Sequence, residues 1–298
     1  MQTILIPKPA LFSFDECLWF LNRSYDDCLH HITETSVTKA VIIDGQPIVI
    51  TLTQDVNDIV VHVETGTPDE NGIMKLKAYV EDWFDMKRDL QPFNTLLENH
   101  QLLGYMAKDY NGLRLLSIPD IFEALCWSII GQQINLTFAY KLKRILVETY
   151  GGYTTVNGIK HYTFPKPASL ATLSIDDLKA LQFSKQKADY IINISKLFTT
   201  GSISKQQLLD MPTEEKLKTL TALKGVGTWT ANYVIMKALR DMSGIPHGDV
   251  GMLKALEQHA LIEDRKDATS IEKVFNEFRG WESYLVHYLW RSLAVIKE

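Results

Sequence analysis

Hydrophobic residues near the start of the chain alternate with polar ones, which is the pattern of half-buried β-strands. Ala40–Asp44 and Pro47–Thr53 are rich in Val and Ile. They flank Asp44-Gly45, a dipeptide that favours the tight turn of a β-hairpin. Asp58–Glu64 alternates in the same way, and Phe14–Asn22 has the pattern of a short helix. The pattern predicts a small α+β unit with an antiparallel sheet.

The hydrophobic period changes after a polar, turn-rich stretch, Thr65–Gly72. Further along, apolar residues recur at helical spacing, and short breaks rich in Gly, Pro, Ser and Asn separate the segments. The predicted helices are Lys75–Met86, Phe93–Tyr105, Pro119–Ile130, Leu136–Tyr150, Ser174–Leu181, Lys185–Leu197, Ser204–Leu209, Thr213–Ala222, Thr228–Leu239, Asp249–Ala260, Ser270–Phe278 and Ser283–Val295. We therefore predict an α+β fold: an N-terminal antiparallel-sheet domain, residues 1–72, then a large all-α region, residues 73–298, of two lobes with a cleft between them.

Composition adds two exclusions. The chain has 298 residues, of which 46% are hydrophobic and 22% charged, as in globular proteins. The longest apolar run, Ala124–Ile130, is far short of the ~20 residues that a membrane-spanning helix needs, so no membrane partner is expected. The three cysteines, Cys17, Cys28 and Cys126, form no Cys-x-x-Cys pair, which indicates reduced thiols in a cytoplasmic protein and no zinc or iron–sulfur framework.

The charge is unevenly distributed. The whole chain carries a net charge of −5. Residues 1–75 hold four basic and eleven acidic side chains, a net charge of −7, so the remainder carries +2. A mildly basic remainder permits a surface that contacts phosphates.

A glycine-rich turn, Leu223-Lys224-Gly225-Val226-Gly227, lies between two helical segments. Two glycines around one β-branched residue allow a tight turn and a close approach to a partner. Thr228 then suits the N-cap of the next helix, whose free backbone N–H groups favour an anion such as a DNA phosphate. A plain turn between two antiparallel helices is the alternative. No Lys-Ser or Lys-Thr follows at the spacing of a phosphate-binding P-loop.

The helix after this turn carries aromatic residues off its main apolar stripe. At 100° per residue, Trp229, Tyr233 and Met236 fall opposite the stripe that contains Ala231 and Val234. These side chains could wall a pocket for a flat ring. The alternative is a helix that packs on both of its faces.

Asp249 ends the loop Ile245-Pro246-His247-Gly248-Asp249 and precedes the helical run Val250–Ala260. Such a position suits an ordinary N-cap residue. It also presents a carboxylate at the start of a helix, facing whatever cleft the preceding loop lines.

Together these segments resemble the helix-hairpin-helix DNA glycosylase superfamily, and within it the DNA-3-methyladenine glycosylase II family. Leu223-x-Gly-Val-Gly-x-x-Thr-Ala231 matches the hairpin, and Gly248-Asp249-Val250-Gly251, 22 residues after Gly227, matches the catalytic loop. Further matches are Phe122-Glu123 through Ile130-Gly131-Gln132-Gln133-Ile134, Phe164-Pro165-x-Pro167, Phe183-Ser184-x-x-Lys187-Ala188 and Trp281-x-Ser283-Tyr284. The N-terminal α+β unit fits the extra sheet domain of that family, so the resemblance spans the chain.

The resemblance implies excision of a base flipped out of double-stranded DNA that contains damaged bases. The hairpin would hold the DNA backbone through Lys224, Gly225, Val226, Gly227 and Thr228. The carbonyl oxygens of Thr221, Leu223 and Val226 match those that hold a monovalent cation in the family. Gln132, Gln133 and Ile134 match the loop that fills the gap left by the flipped base. Gln133 matches the wedge position itself, where some relatives have an apolar residue, so Ile134 is the alternative wedge.

The resemblance also assigns the chemistry. Trp229, Tyr233 and Trp290 match the aromatic pocket, whose rings attract the positive charge of an N-alkylated purine; for Trp290 core packing is the alternative. Asp249 matches the catalytic carboxylate, which either stabilises an oxocarbenium-like sugar or activates water. Superfamily members that cleave the DNA backbone use a lysine two residues after the second hairpin glycine to form a Schiff base. Trp229 occupies that position here, so hydrolysis without lyase activity is implied.

The expected protein is therefore a monofunctional glycosylase for alkylated bases of the 3-methyladenine and 7-methylguanine type. It is expected to act as a monomer in the cytoplasm, associated with the nucleoid through DNA, and to require no cofactor. No cysteine follows Cys126, so the iron–sulfur cluster of some relatives is not expected. Two alternatives remain: a glycosylase for another lesion, such as oxidised guanine or hypoxanthine, and a non-catalytic helix-hairpin-helix DNA-binding protein. The presence of Asp249 in the matching loop argues against the second.

Overall fold

The structure is a computed structural model that describes residues 2–22 and 27–293. Its larger sheet has the strands β1 (Gln2–Pro7), β2 (His31–Ile32), β3 (Val37–Ile43), β4 (Gln46–Gln54) and β5 (Asp58–Val63). The strands are antiparallel throughout and lie in the order β1-β5-β4-β3-β2. The antiparallel sheet predicted near the N-terminus is confirmed.

The β3–β4 hairpin turns at the predicted dipeptide. Asp44 and Gly45 have φ angles of 49° and 78°, the left-handed values that a two-residue turn of this kind requires. The alternation pattern missed β1, in which Ile4 and Ile6 are buried and Leu5 is exposed. It also missed β2, which has only two residues and therefore no readable period.

Helices make up most of the rest of the described chain. They are α1 (Phe14–Leu21), α2 (Glu70–Trp83), α3 (Gln91–Asn99), α4 (Tyr105–Asp109), α5 (Ile121–Gly131), α6 (Leu136–Tyr150), α7 (Pro167–Ala171), α8 (Ile175–Ala180), α9 (Lys185–Thr199), α10 (Lys205–Leu209), α11 (Thr213–Thr221), α12 (Thr228–Lys237), α13 (Val250–Gln258), α14 (Ala268–Glu277) and α15 (Glu282–Ser292). None of the helices in the described ranges combines the length and the apolar character that a bilayer crossing demands.

The helical region contains one small sheet that the sequence pattern did not predict. Its strands are β6 (Tyr153–Val156) and β7 (Ile159–Tyr162), which pair antiparallel around Asn157-Gly158. Both turn residues have positive φ angles, 49° and 81°. That Asn-Gly dipeptide was the available signal for a hairpin. The flanking strands have only four residues each, too few to show a clear alternation.

Two large hydrophobic cores organise the described part of the chain. The first core lies against the larger sheet and combines it with α1–α4 and, from the other end of the chain, with α13–α15. The second core lies among α5–α12. The domain boundary predicted at residue 72 stays a prediction. The helices that pack with the sheet in the first core come both before and after the residues of the second core in the sequence. We call the part of the molecule built around the first core the first lobe and the part built around the second core the second lobe.

Helix α12 contributes to both cores and so holds the lobes in register. Its side chains Ala231, Val234 and Ile235 belong to the second core, while Met236 belongs to the first and is completely buried. The sequence pattern had grouped Met236 with Trp229 and Tyr233 on a pocket face. For Met236 the alternative, packing on both helix faces, describes the structure.

Candidate active site

Asp249 is the N-cap of α13 and belongs to the site at the same time. Its Oδ1 accepts a hydrogen bond from the backbone N–H of Met252 at 2.8 Å. Gly248, with a φ angle of 82°, turns the chain just before it. The carboxylate is only partly buried, and the next residue, Val250, is 73% exposed. The cap therefore fixes the carboxylate at an open edge of the fold.

Two indole N–H groups hold the same carboxylate from other helices. Nε1 of Trp229, on α12, donates to Oδ2 of Asp249 at 3.2 Å. Nε1 of Trp290, on α15, donates to Oδ1 at 2.8 Å. A Cβ at Gly251 would lie 3.2 Å from Oδ1 and 3.3 Å from the Trp290 ring, so a glycine there permits the close approach. The resemblance had suggested both tryptophans as walls for a base; the structure adds that they orient the carboxylate.

The aromatic rings of the site form one continuous wall. The rings of Trp229 and Tyr233 are stacked, with centroids 5.5 Å apart and planes at 22°. The ring centroids of Tyr233 and Trp290 are 6.3 Å apart, and their ring planes are tilted by 40°. Rings at these separations are in direct contact, which leaves no room for a flat base between them. A base would therefore lie against the wall and would not be clamped between Trp229 and Tyr233.

Trp127 extends this wall into the second lobe and was missed in the sequence. Its Nε1 donates to the hydroxyl of Tyr233 at 3.0 Å. Trp127 lies on α5, a helix in which Ile121, Phe122 and every residue from Ala124 to Ile130 is buried. Because the whole helix is apolar, no face of it is marked out in the sequence as a ligand surface.

The hairpin that joins α11 and α12 has the predicted tight turn. Gly225 has a φ angle of 86°, and a Cβ there would overlap the ring of Tyr190. The predicted N-cap is wrong: Gly227 is the cap of α12, and Thr228 is the first residue of the helix. No side chain therefore covers the first N–H groups of α12. Gly227 and Thr228 are exposed, whereas the side chain of Val226 is buried.

Lys224, the one basic side chain of the hairpin, is already paired. Its Nζ lies 2.6 Å from Oδ2 of Asp189 on α9. The pairing raises the pKa of Lys224 and lowers the pKa of Asp189. Because 63% of the lysine side chain is exposed, the pair is open to water and to other anions.

The loop after α5 separates the three predicted DNA-contact residues. Nε2 of Gln132 donates to the carbonyl of Gly225 and to Oγ1 of Thr230, each at 3.0 Å, so this side chain joins the loop to the hairpin. Gln133 is exposed and has a φ angle of 56°, which turns it away from the helix. Ile134 is partly buried and packs against the second core. Of the three, only Gln133 is exposed.

The three backbone carbonyls of the implied cation site belong to residues at the end of α11 and in the hairpin. Carbonyl oxygens are hard, neutral donors that suit an alkali or alkaline-earth cation. The Leu223 carbonyl already accepts the backbone N–H of Val226 at 3.0 Å, which leaves one of its lone pairs. Within residues 2–22 and 27–293, no three His, Cys, Asp or Glu side chains are placed to hold a metal ion.

A cavity of about 90 Å³ opens where the two lobes meet. Tyr233 and Trp127 line one side, so the cavity continues the aromatic wall beyond the carboxylate. The remaining lining residues come from both lobes and are Phe20, Leu21, Asp27, His30, Lys39, Trp83, Leu116, Ser117, Ile118, Pro119, Glu123, Tyr140, Lys143 and Lys237. A water molecule needs roughly 10–15 Å³ of such a cavity, so this space is large enough for several waters.

Charged groups also line the cavity, and one of them, Lys143, has its Nζ 5.4 Å from the centre of the Trp127 ring. Nζ of Lys143 lies 2.9 Å from Oδ2 of Asp27 and 3.1 Å from Oε1 of Glu123, and only 4% of the lysine side chain is exposed. Burial alone would lower the pKa of Lys143, but the two carboxylates raise it well above its usual value. Burial would raise the pKa of Asp27, but the Lys143 ammonium brings it well below its usual value. Burial lowers the pKa of His30 to about 4, so that imidazole is neutral at pH 7.

Two family models match consecutive parts of the chain. Residues 126–279 match the model described as HhH-GPD superfamily base excision DNA repair protein. Residues 26–125 match the model of the 8-oxoguanine DNA glycosylase N-terminal domain. The second match covers the strands β2–β5 and the helices α2–α4.

Known proteins give the same picture over the full length. A DNA-3-methyladenine glycosylase of Bacillus subtilis is 33% identical, over 98% of this chain and 97% of that protein. Among solved structures, a 3-methyladenine DNA glycosylase from Archaeoglobus fulgidus has a TM-score of 0.85 at 20% identity and covers 99% of this chain and all of its own. An 8-oxoguanine glycosylase/lyase of Clostridium acetobutylicum in complex with double-stranded DNA has a TM-score of 0.76 at 18% identity, covering 98% of this chain and 99% of its own. The two structures share the fold.

Proposed function

The chain belongs to the HhH-GPD superfamily of base excision DNA repair proteins, and from that premise we propose that it removes alkylated purines from duplex DNA by hydrolysis of the N-glycosidic bond. One observation carries the proposal. Asp249 presents a carboxylate, held by two indole N–H groups and a backbone N–H, at the end of an aromatic wall that leads into a cavity. A flipped nucleotide would place its base along the wall and its sugar at the carboxylate.

The hydrogen bonds of Asp249 leave it one remaining site for chemistry. A carboxylate has about four lone-pair positions on its two oxygens. Oδ1 accepts from Met252 and Trp290, and Oδ2 accepts from Trp229. The remaining position, on Oδ2, accepts a proton from the attacking water. Alternatively, the fixed negative charge stabilises the developing positive charge of the sugar. Both roles require the carboxylate to lie close to the sugar C1′.

The aromatic wall favours an alkylated base. N-alkylation of a purine at N3 or N7 gives the base a positive charge, which makes it a better leaving group. An aromatic face attracts a cation by roughly 0.5–2 kcal/mol. Trp229, Tyr233 and Trp290 supply three such rings in contact. The leaving base then needs little assistance from an acid, and the described wall supplies none close to Asp249.

We assign DNA contact to the hairpin and to the loop after α5. The exposed backbone of Gly227 and Thr228 at the start of α12 would bind a phosphate, helped by Lys224. Gln133 would fill the space of the flipped base, and Gln132 holds that loop at a fixed distance from the hairpin. A monovalent cation held by the carbonyls of Thr221, Leu223 and Val226 would add positive charge beside the same phosphate.

The absence of lyase activity is part of the proposal. The lysine position of the lyase enzymes is Trp229, whose N–H is bonded to Asp249. Lys143, one of three buried lysines that line the cavity, is held protonated by two carboxylates and so has no free amine for a Schiff base.

Release of oxidised guanine is a second candidate. The match of residues 26–125 to the N-terminal domain model of 8-oxoguanine DNA glycosylase favours it. The polar side of the cavity would also suit a neutral base with exocyclic oxygen. The carboxylate, the wall and Trp229 argue for the alkylated class and for hydrolysis.

Chromatography of bases released from methylated duplex DNA tests the proposal. We expect 3-methyladenine and 7-methylguanine to appear, with no strand cleavage and no protein–DNA adduct after borohydride treatment. Preferential release of 8-oxoguanine would favour the second candidate. A borohydride-trapped adduct would refute the monofunctional mechanism, and no release of any base would refute the proposed function.

A further inference from the structure

The cavity continues the active site through a chain of contacts. Tyr233 stacks on Trp229 and lies near Trp290, the two residues that hold Asp249. The Tyr233 hydroxyl accepts the indole N–H of Trp127, and the ammonium of Lys143 lies 5.4 Å from the centre of the Trp127 ring. The path from the catalytic carboxylate therefore ends at Lys143.

Lys143, Asp27 and Glu123, which we call the ion triad, come from three separate elements. Lys143 lies on α6, Glu123 on α5 and Asp27 in the segment between α1 and β2. A buried ion pair contributes little net stability, because the loss of hydration offsets most of the attraction. Three charged groups in the wall of a cavity are therefore better explained by what they offer to an occupant than by stability.

The ion triad retains a hydrogen-bond donor and an acceptor. Two protons of the Lys143 ammonium go to Asp27 and Glu123, which leaves a third. Asp27 accepts from Lys143 and from the backbone N–H of Leu29, one bond on each of its oxygens. The second oxygen of Glu123, Oε2, receives no hydrogen bond from the described residues. The donor and the acceptor lie side by side, on neighbouring groups 3.1 Å apart.

Two other lysines line the cavity, and each donates to a backbone carbonyl. Lys39 donates to the carbonyl of Leu29 at 3.5 Å, and Lys237 donates to the carbonyl of Leu116. His30 is neutral at pH 7. The ion triad is the part of the cavity wall where a remaining donor lies beside a remaining acceptor, as the polar edge of a purine requires.

We propose that Lys143 and Glu123 determine base specificity by hydrogen-bonding the polar edge of the flipped base, with Asp27 positioning the lysine. Lys143 donates to an acceptor on the base, and Glu123 accepts from an adjacent N–H. The required chemistry is an acceptor next to an N–H on the Watson–Crick edge: O6 and N1–H in a 7-alkylguanine, or N1 and N6–H in a 3-alkyladenine. This inference rests on the proposed function, since it needs a purine in the cavity.

Binding of free bases tests the inference without DNA. Quenching of tryptophan fluorescence would give the Kd of 7-methylguanine and of 1,7-dimethylguanine, which lacks the N1–H. A second pair, 3-methyladenine and its N6,N6-dimethyl derivative, tests the adenine edge. We expect at least one pair to show about a tenfold preference for the base that keeps its N–H. The pair that shows it identifies the base class.

Three variants assign the preference to the ion triad. Lys143→Met alone would leave two buried carboxylates unpaired and could unfold the protein, so the triple variant D27N/E123Q/K143M, which removes all three charges, is the main test. We expect its preference to fall to near one. Lys216→Met is the control, because Lys216 is also buried, at 9% exposed against 3% for Lys143, its Nζ lies 3.0 Å from Oδ2 of Asp241, and it does not line the cavity. It should keep the wild-type preference.

The possible outcomes separate this inference from the proposed function. If wild-type protein shows no preference within either pair or binds no free base, or if the triple variant keeps the wild-type preference, the inference is wrong. In those cases release of 7-methylguanine from methylated DNA would leave the proposed function standing. If no alkylated base is released from DNA, the proposed function fails first.

Discussion

Trp290→Phe isolates one hydrogen bond to Asp249, the carboxylate that we propose to be catalytic. The substitution keeps an aromatic ring in the wall and removes the N–H that donates to Oδ1 of Asp249 at 2.8 Å. A hydrogen bond to a charged group contributes about 1.5–3 kcal/mol. If that stabilisation acts in the transition state, its loss lowers the rate of base release by roughly 10- to 150-fold, since about 1.4 kcal/mol corresponds to a factor of ten.

The assay is single-turnover release of 7-methylguanine from duplex DNA at saturating protein, which reports the chemical step. Trp281→Phe is the control, because Trp281 packs on Phe93 with ring centroids 5.7 Å apart, in the first core. We expect it to lower the melting temperature with an unchanged rate. A Trp290→Phe protein that works at the wild-type rate would refute the orienting role. An equal loss in Trp281→Phe would show that the effect is general destabilisation.

Three further predictions concern the hairpin and the cavity. Lys224→Ala should weaken binding to any duplex and reduce the slope of log affinity against log salt by about 1. Asp189→Asn, which frees Lys224 from its ion pair, should steepen that slope. Identical slopes for the wild type and both variants would contradict a phosphate contact by Lys224. Gly225→Ala places a side chain at a φ angle of 86° and against the ring of Tyr190, so the free energy of unfolding should fall by at least about 1–2 kcal/mol and the duplex affinity should also fall. Gly201→Ala is the control for backbone strain alone, because Gly201 also has a positive φ angle but no atom lies near its Cβ position. The free energy of unfolding of the wild type should fall as the pH drops from 6.5 to 4, because His30 takes up a proton over this range in the unfolded chain but stays neutral in the folded protein. His30→Gln should flatten that part of the profile of melting temperature against pH. Parallel profiles for the two proteins would mean that His30 is not buried as a neutral group.

Local patterns were sufficient for most elements of the fold. Asp44-Gly45 specifies its hairpin through the backbone conformations that Asp and Gly tolerate, and α6 begins and ends at the predicted residues Leu136 and Tyr150. Asn157-Gly158 carries the same kind of signal, but its short strands hide the period. Thr228 was misplaced by one residue, because a glycine can cap a helix without any side-chain hydrogen bond.

The site was only partly visible in the sequence. Asp249 could be named because the ordered motifs resemble a known family; its local context indicates no more than a helix cap. The bonds from Trp229 and Trp290 join residues 20 and 41 positions away, which no local pattern encodes. The ion triad joins Lys143 to residues 116 and 20 positions away. In the sequence, each charged residue of the ion triad looks like an ordinary exposed residue of its own segment. Only the packing of α5, α6 and the segment after α1 brings the three charges together.

The most direct test of the account compares wild-type protein with Asp249→Asn. The amide keeps the size of the side chain and can still accept from Met252, so folding and duplex binding should be preserved. We predict that the wild type releases alkylated purines from methylated duplex DNA in a single turnover and that Asp249→Asn slows this release by at least about a hundredfold, the loss seen when one charge-stabilising group is removed from an active site. Release at the wild-type rate by Asp249→Asn would contradict the assignment of the catalytic carboxylate.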